Sequence, residues 1–433
     1  MKAVVMGGGI AGLVAAHVLS ESHDVVVLER DKLSDEPEYR SGVPQGRHVH
    51  GLLVRGGEVL EELFPGLLDE LVEAGAFLND ASEMRMLNAV GWIKTGHTGL
   101  PFLTVSRPLL ETAIRHRVTA EIQDGTGVVG LSFSGSVVDG VLTDNGKIDA
   151  DLVVDASGRT SKIAKWLAEA GITTPEPTVV DSRTGYATRL YRVPAETEIP
   201  VLMAELLSAP KRPRGAIMMR IEGGQVMFTA QGAGGDHPPR DEEGYREFVE
   251  SLEAPFADLL KDAEPLTPVY LFARTASRRN AFEQVKNWPG GLVALGDSVC
   301  AFNPVYGQGM TVAALEALEL RKLNDFGAAS CRRFQRAVAK QAAGAWSMSS
   351  GADLGWTGVT HAPGPVERFQ GWFMAKWFVA ITYDPELFKR FFKVIHMMAS
   401  PASLMNPLLF RRLAKYSRQA PRPERRPAGS SPR

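Results

Sequence analysis

MKAVVMGGGIAGLVAAHVLSESHDVVVLER, residues 1–30, is the stretch from which the fold is read. Lys2–Met6 is a short apolar run that stops at glycines, the pattern of a buried strand. Ile10–Ser20 carries apolar residues at helical spacing, and Asp24–Leu28 is a second β-branched run, so the segment reads strand, helix, strand. Gly7, Gly9 and Gly12 form G-x-G-x-x-G where the first strand turns into the helix. In that motif the first glycine allows the tight turn, the second lets backbone approach a pyrophosphate, and the third lets helix and strand pack closely. The helix N-terminus then turns its positive dipole end toward the phosphates. Glu29, 17 residues after Gly12, ends the second strand, where it can accept hydrogen bonds from ribose hydroxyls; Arg30 follows it. These features predict a dinucleotide site and leave NAD and FAD open.

Two distant segments decide between them. Residues 153–162, VVDASGRTSK, run from a strand into a small-residue turn holding Asp155 and Gly158. Residues 295–310, LGDSVCAFNPVYGQGM, follow another buried-strand pattern. Asp297 is placed to hold ribityl hydroxyls, and Pro304, Gly307 and Gly309 make a loop whose backbone can lie against a flat ring. A helix opening at Gly309 would aim its N-terminus at that ring, where reduced flavin carries negative charge. An NAD domain needs no such segment, so the cofactor expected is FAD. Cys300, within this stretch, reads as a packing residue.

Taken together, GGGIAG with Glu29, the DASG turn and GDSVCAFNPVYGQG resemble the flavin-dependent aromatic hydroxylase (p-hydroxybenzoate hydroxylase-like) fold, in the right order and over nearly the whole chain. Residues 42–50 (GVPQGRHVH), 181–192 (DSRTGYATRLYR) and 303–310 (NPVYGQGM) resemble more closely the actinobacterial FAD epoxidases of polyether pathways, such as the lasalocid and monensin epoxidases. The resemblance implies that Gly9, Ala11 and Gly12 hold the pyrophosphate and Glu29 the ribose. It implies that Arg107 reaches the phosphate or ribityl region and that Val129 gives a backbone contact to adenine. Asp297 would bind the ribityl chain, and Gly307, Gln308, Gly309 and Met310 the isoalloxazine edge. Arg40, Gln45 and His48 fall in a loop that runs beside the flavin in that family. Arg47, His48, Pro304 and Tyr306 are the residues near the flavin that could touch the reacting atoms.

The chemistry implied is monooxygenation. FAD reduced by NAD(P)H, directly or through a partner reductase, adds O2 and passes one oxygen from a hydroperoxyflavin to a hydrophobic substrate. An alkene of a polyketide or terpenoid becomes an epoxide; a phenol is hydroxylated. That chemistry belongs to the cofactor and asks the protein for a dry, positioning pocket rather than a nucleophile or metal. Apolar residues of 186–191 and 218–228 are candidates to line it. Flavin halogenases share the fold, but no W-x-W-x-I-P segment is present. An isoprenoid reductase or desaturase and a lipid-holding protein like the GDP-dissociation inhibitors are the remaining alternatives.

The expected architecture is α/β: a Rossmann-like FAD-binding domain (1–181 plus 276–345), an inserted antiparallel β-sheet substrate domain (182–275) and a C-terminal helical region (346–418). Residues 419–433, rich in Pro, Arg and Ser, read as a disordered tail. Amphipathic or helical spacing predicts helices over 50–64, 107–118, 160–170 and 309–323. The 433 residues suffice for two or three cores.

The formal net charge of -2 suggests no nucleic-acid partner, yet it is unevenly spread. Residues 389–433 hold 11 Lys or Arg against one acid, Glu424, leaving 37 basic and 49 acidic residues before them. The aromatic stretch 371–383 (GWFMAKWFVAITY) and the apolar runs 391–398 and 404–410 adjoin this basic end. Such segments can cap a domain, touch a membrane surface, cover a substrate tunnel or attract an acidic carrier protein that bears the substrate. Two cysteines without a CxxC or Cys/His spacing point to neither a disulfide framework nor a zinc site. The apolar start flows into the glycine motif, so export is rejected, no transmembrane span is expected, and the protein is placed in the cytoplasm.

Overall fold

The computed structural model describes residues 1–356 and 364–416. The expected tail at 419–433 lies outside the described residues.

Five parallel strands form the central sheet, in the order Leu292–Ala294, Leu152–Asp155, Lys2–Met6, Asp24–Leu28, Glu121–Gln123. Met6 pairs with Leu28 on one side and Asp155 on the other, so the glycine turn and the DASG turn leave the same edge of the sheet together. These strands are buried on both faces, which is why they read as unbroken Val/Leu runs rather than alternating ones. Helix Ile10–Ser20 lies on the sheet beside helix Gly309–Leu318, and the two pack against each other. Leu13, Val14, Val153, Leu292 and Ala317 are among the fully buried residues of that core. The first and the late strand, far apart in sequence, therefore belong to one layer.

The second sheet is mixed. Its order is Glu264–Pro265, Gly185–Arg192, Gln225–Gly232, Arg214–Ile221, Leu202–Glu205, Met84–Asn88, Gly91–Trp92, and Tyr270–Phe272 also pairs with Gly185–Arg192. Segment 182–275 does not build this sheet alone. Met84–Asn88 joins in parallel to Leu202–Glu205, with Met86 opposite Ala204. Its alternation is short and precedes the inserted segment, so nothing local marks it as a partner.

The helix expected over 50–64 begins only at Val54. Residues before it are extended, and Leu52 bridges to Leu103. The helix expected over 309–323 runs Gly309–Leu318 and tightens into a 3₁₀ turn, Glu319–Lys322. At the C-terminal end, Ala328–Asp353 is one long helix, followed by Pro365–Tyr383, Pro385–Ile395 and Pro407–Tyr416. Trp377, Phe388 and Phe392 bury together between the last helices and the second sheet. No helix among the described residues is long and apolar enough to cross a membrane.

Candidate active site

At the glycine turn, backbone crowding explains the residue choice. Gly7 has φ +104°, and a Cβ there would lie 2.6 Å from the Ala156 carbonyl oxygen. A Cβ on Gly12 would lie 1.8 Å from the Gly7 carbonyl oxygen. Gly9 is different: a Cβ would meet only guanidinium nitrogens, Arg40 at 3.8 Å and Arg107 at 4.0 Å. An open backbone turn faced by two cations at a helix N-terminus is a seat for an anion. Both arginines are held by one buried acid. Arg40 Nη2 is 2.6 Å from Glu111 Oε1, and Arg107 Nη2 is 2.8 Å from Glu111 Oε2. The two guanidiniums outweigh burial and hold the Glu111 carboxyl below its ordinary range. Glu29 is fixed as firmly. Its Oε2 accepts from Gly8 N–H at 2.7 Å and its Oε1 from Asp31 N–H at 2.9 Å, with Arg40 Nη1 3.0 Å away.

From this turn a cleft of about 460 Å³ runs to the 304–310 loop. Gly7, Gly9, Ala11, Glu29, Arg30, Arg40, Gln45, Arg107, Gly158, Asp297, Pro304, Gly307, Gln308, Gly309 and Met310 all line it. The remaining sequence candidates sit elsewhere. Gly12 lies under the turn as a packing contact. Asp155 is fully buried, accepting from Ser157 N–H and from the Ser161 hydroxyl, and it braces the DASG turn from below. Val129 is off the cleft with its side chain half exposed; Thr126, Gly127 and Val128 take the lining position instead. Arg47 lines neither this cleft nor the cavity beside it, and its guanidinium lies over the rings of Tyr39 and Tyr270.

Asp297 is presented by a braced turn. Gly296 N–H donates to Glu316 Oε2 at 2.6 Å, and burial pushes the Glu316 carboxyl well above its usual range. Burial also raises Asp297, opposed by Arg159, whose Nε is 3.7 Å from Asp297 Oδ2. Arg159 further donates to the carbonyls of Ala276 and Phe302. It lines the cleft and ties the DASG turn to the 302–310 segment, a role the sequence reading missed. An arginine in a polar turn resembles a surface residue until its distant carbonyl partners are known. The Cys300 thiol is buried and pushed far up by that burial, as suits packing rather than attack.

A second, apolar cavity of about 200 Å³ adjoins the cleft and shares Gln45, His50, Gly51, Phe272, Pro304 and Gly307 with it. Met84, Met86, Phe102, Ala204, Ile217 and Met219 supply its apolar wall; His48, Tyr186 and Tyr306 line it too. Of the stretches expected to line it, Tyr186 and Met219 do, whereas Met84, Ile395 and His396 come from segments outside the sheet insertion. Three histidines there are held neutral by burial: His48 and His396 are pushed down to about 3, and His50 to about 4 with help from Arg107. His50 Nδ1 is 2.8 Å from the His48 carbonyl, which can only accept, so the proton sits on Nδ1 and Nε2 is bare. His396 is the reverse: its Nδ1 accepts from Val54 N–H at 3.1 Å, leaving the proton on Nε2.

Behind the loop lies a buried polar cluster. Tyr306 donates to Asp353 Oδ1 at 2.8 Å, Asn303 Nδ2 reaches both Asp353 oxygens, and Tyr186 donates to Asn303 Oδ1 at 2.8 Å. Burial raises the Asp353 carboxyl to about 6 despite these donors. A folded-state value above the unfolded one means stability is full below the unfolded pKa and falls as pH rises through about 6. Asp353→Asn, which cannot ionise, is therefore expected to gain about 2 kcal/mol relative to the native chain between pH 4 and pH 7.5. Urea unfolding of both proteins at the two pH values checks this; a constant difference would contradict it.

Among the described residues no group of three or more His, Cys, Asp or Glu is gathered as a metal site. A family model described as FAD binding domain matches residues 1–326. "Protein Rv3254" of Mycobacterium tuberculosis is 34% identical, over 84% of this chain and 82% of that one. "FAD-dependent monooxygenase cdmI" of Talaromyces verruculosus is 25% identical, over 74% of this chain and 68% of its own length. Among solved structures, a flavoprotein/dehydrogenase from Cytophaga hutchinsonii superposes with a TM-score of 0.65 at 17% identity, covering 96% of this chain and 98% of that one, a likeness of fold.

Proposed function

Because the chain belongs to the FAD binding domain family and is a flavin-dependent monooxygenase, we propose that it inserts one oxygen atom from O2 into a hydrophobic secondary metabolite, epoxidising an alkene of a polyketide or terpenoid. The observation that carries this reading is the apolar cavity that adjoins the cleft and shares Gln45, His50, Gly51, Phe272, Pro304 and Gly307 with it.

The residues present fit FAD. Gly9 with Arg40 and Arg107 would seat the pyrophosphate, Glu29 a ribose, Asp297 the ribityl chain and the 307–310 backbone the ring edge. When bound, FAD supplies the redox chemistry that activates O2. The chain itself supplies position and dryness. Met84, Met86, Ile217 and Met219 give the cavity an apolar wall that would hold the substrate and keep water away from it. The three neutral histidines add no charge, so an uncharged alkene enters without displacing a counter-ion. His396 lines the cavity, and its Nε2–H would be a donor for a carbonyl or ether oxygen of the same substrate. Electrons would come from NAD(P)H, directly or through a partner reductase, in the cytoplasm.

One observation favours a second reading. The bare His50 Nε2 at the shared wall is an acceptor for a phenolic proton, which suits hydroxylation of an aromatic substrate. Turnover under ¹⁸O2 with a polyene and a phenol panel separates the two. Epoxidation predicts one labelled oxygen on an alkene product; a labelled diol of a phenol moves the assignment to hydroxylation. Hydrogen peroxide with no labelled organic product from either panel contradicts both.

A further inference from the structure

The C-terminal helices leave large apolar side chains in water on their outer side. Trp372 is 57% exposed, Phe369 49%, Phe410 44%, Met405 48% and Leu408 83%. Four aromatic rings run together: Phe369 lies 5.8 Å from Trp372 and 6.2 Å from Phe373, and Phe373 lies 6.3 Å from Phe410. Two helices distant in sequence, Pro365–Tyr383 and Pro407–Tyr416, thus contribute to one patch. Exposed apolar side chains gathered in this way mark an interaction site rather than the scattered surface residues of any protein.

The charge around the patch says what it meets. The two helices that form the patch hold Arg368, Lys376, Arg411, Arg412 and Lys415 against Glu367, whereas the chain before residue 389 is acidic overall. Arg412 is engaged with Asp384 at 3.0 Å, and Lys376 Nζ stands 6.0 Å from the Trp372 ring centre. Aromatic and aliphatic side chains flanked by basic ones match the interfacial zone of an anionic bilayer. The rings enter the headgroup–acyl boundary while Lys and Arg stay at the phosphates. The same helical region also sends Ile395 and His396 into the wall of the apolar cavity. One region therefore touches both the surround and the pocket.

We propose that this face docks the enzyme on an anionic lipid surface, with Phe369, Trp372 and Phe410 as the inserted side chains. Docking there brings the apolar cavity to a phase in which apolar molecules collect. The proposal goes beyond the catalytic reading and does not depend on it, because lipid binding is measured without turnover.

The test is co-sedimentation of the full chain, loaded with FAD, with vesicles of phosphatidylglycerol and phosphatidylcholine and with vesicles of phosphatidylcholine alone. Binding is expected to the first and to weaken on raising salt. Trp372→Ser with Phe410→Ser is expected to weaken vesicle partitioning roughly a hundredfold, about tenfold for each large side chain removed. Both positions are exposed, so an unchanged melting temperature and FAD content show that the variant is folded. No sedimentation with either vesicle overturns the proposal. So does undiminished binding by the double variant, and so does a native dimer that the double variant converts to a monomer in light scattering, which assigns the face to a second copy of the chain.

Discussion

Gly12→Ala is expected to purify without bound flavin, with affinity for FAD lowered more than about 100-fold and the fold weakened by about 2–3 kcal/mol. The new methyl group would sit 1.8 Å from the Gly7 carbonyl oxygen, a backbone atom that cannot rotate aside. Relief requires the start of helix Ile10–Ser20 to move away from the turn. That motion strains the Leu13 N–H bond to the Gly9 carbonyl (2.9 Å) and the Gly7 N–H bond to the Leu28 carbonyl (2.8 Å), which together set the turn. Gly9→Ala is the informative companion. Its methyl group meets only arginine ends, so the protein should melt as the native chain does while FAD binds more weakly. Flavin titration followed by intrinsic fluorescence, with a thermal melt of each variant, checks both. Native-like FAD affinity in Gly12→Ala would contradict the assignment of this turn.

Filling the apolar cavity should do the opposite, sparing the cofactor and removing the chemistry. Ala204 lies on strand Leu202–Glu205 between Met86 and Ile217, is 3% exposed, and lines the cavity. Ala204→Phe places a ring where the substrate would sit. We expect FAD content to be unchanged and kcat/KM for the alkene substrate to fall about 100-fold or more, equivalent to about 2.7 kcal/mol of lost transition-state stabilisation. Reducing equivalents should then appear as hydrogen peroxide, because O2 is still reduced with no alkene in place. Unchanged kcat/KM would move the substrate site away from this cavity.

The parts of the site that were legible are those whose chemistry is local. The tight turn needs Gly7 and Gly12 whatever follows, and Glu29 ends a strand whose register fixes it beside them. Asp297 was legible because a buried strand, an acid and a glycine loop stand in one short stretch. Other features depended on tertiary contacts that spacing does not encode. Arg40 lines the cleft, but its guanidinium is shared between Glu29 and Glu111, which come from a strand end and a distant helix. Thr126, Gly127 and Val128 line the cleft where Val129 was expected, and spacing does not fix which residue at the start of a strand comes nearest. Asp155 looked like a ligand and is a brace, because its turn folds back to donate to it. The cavity wall was the least legible part. Met84, Phe102 and His396 meet only after the second sheet and the C-terminal helices have packed. Their sequence surroundings read as ordinary amphipathic segments.

FAD binding is tested most directly by the visible absorbance spectrum of the purified chain after incubation with FAD and removal of free cofactor. Flavin bands are expected to be retained at one FAD per chain. A colourless protein that takes up no FAD while remaining folded would contradict it.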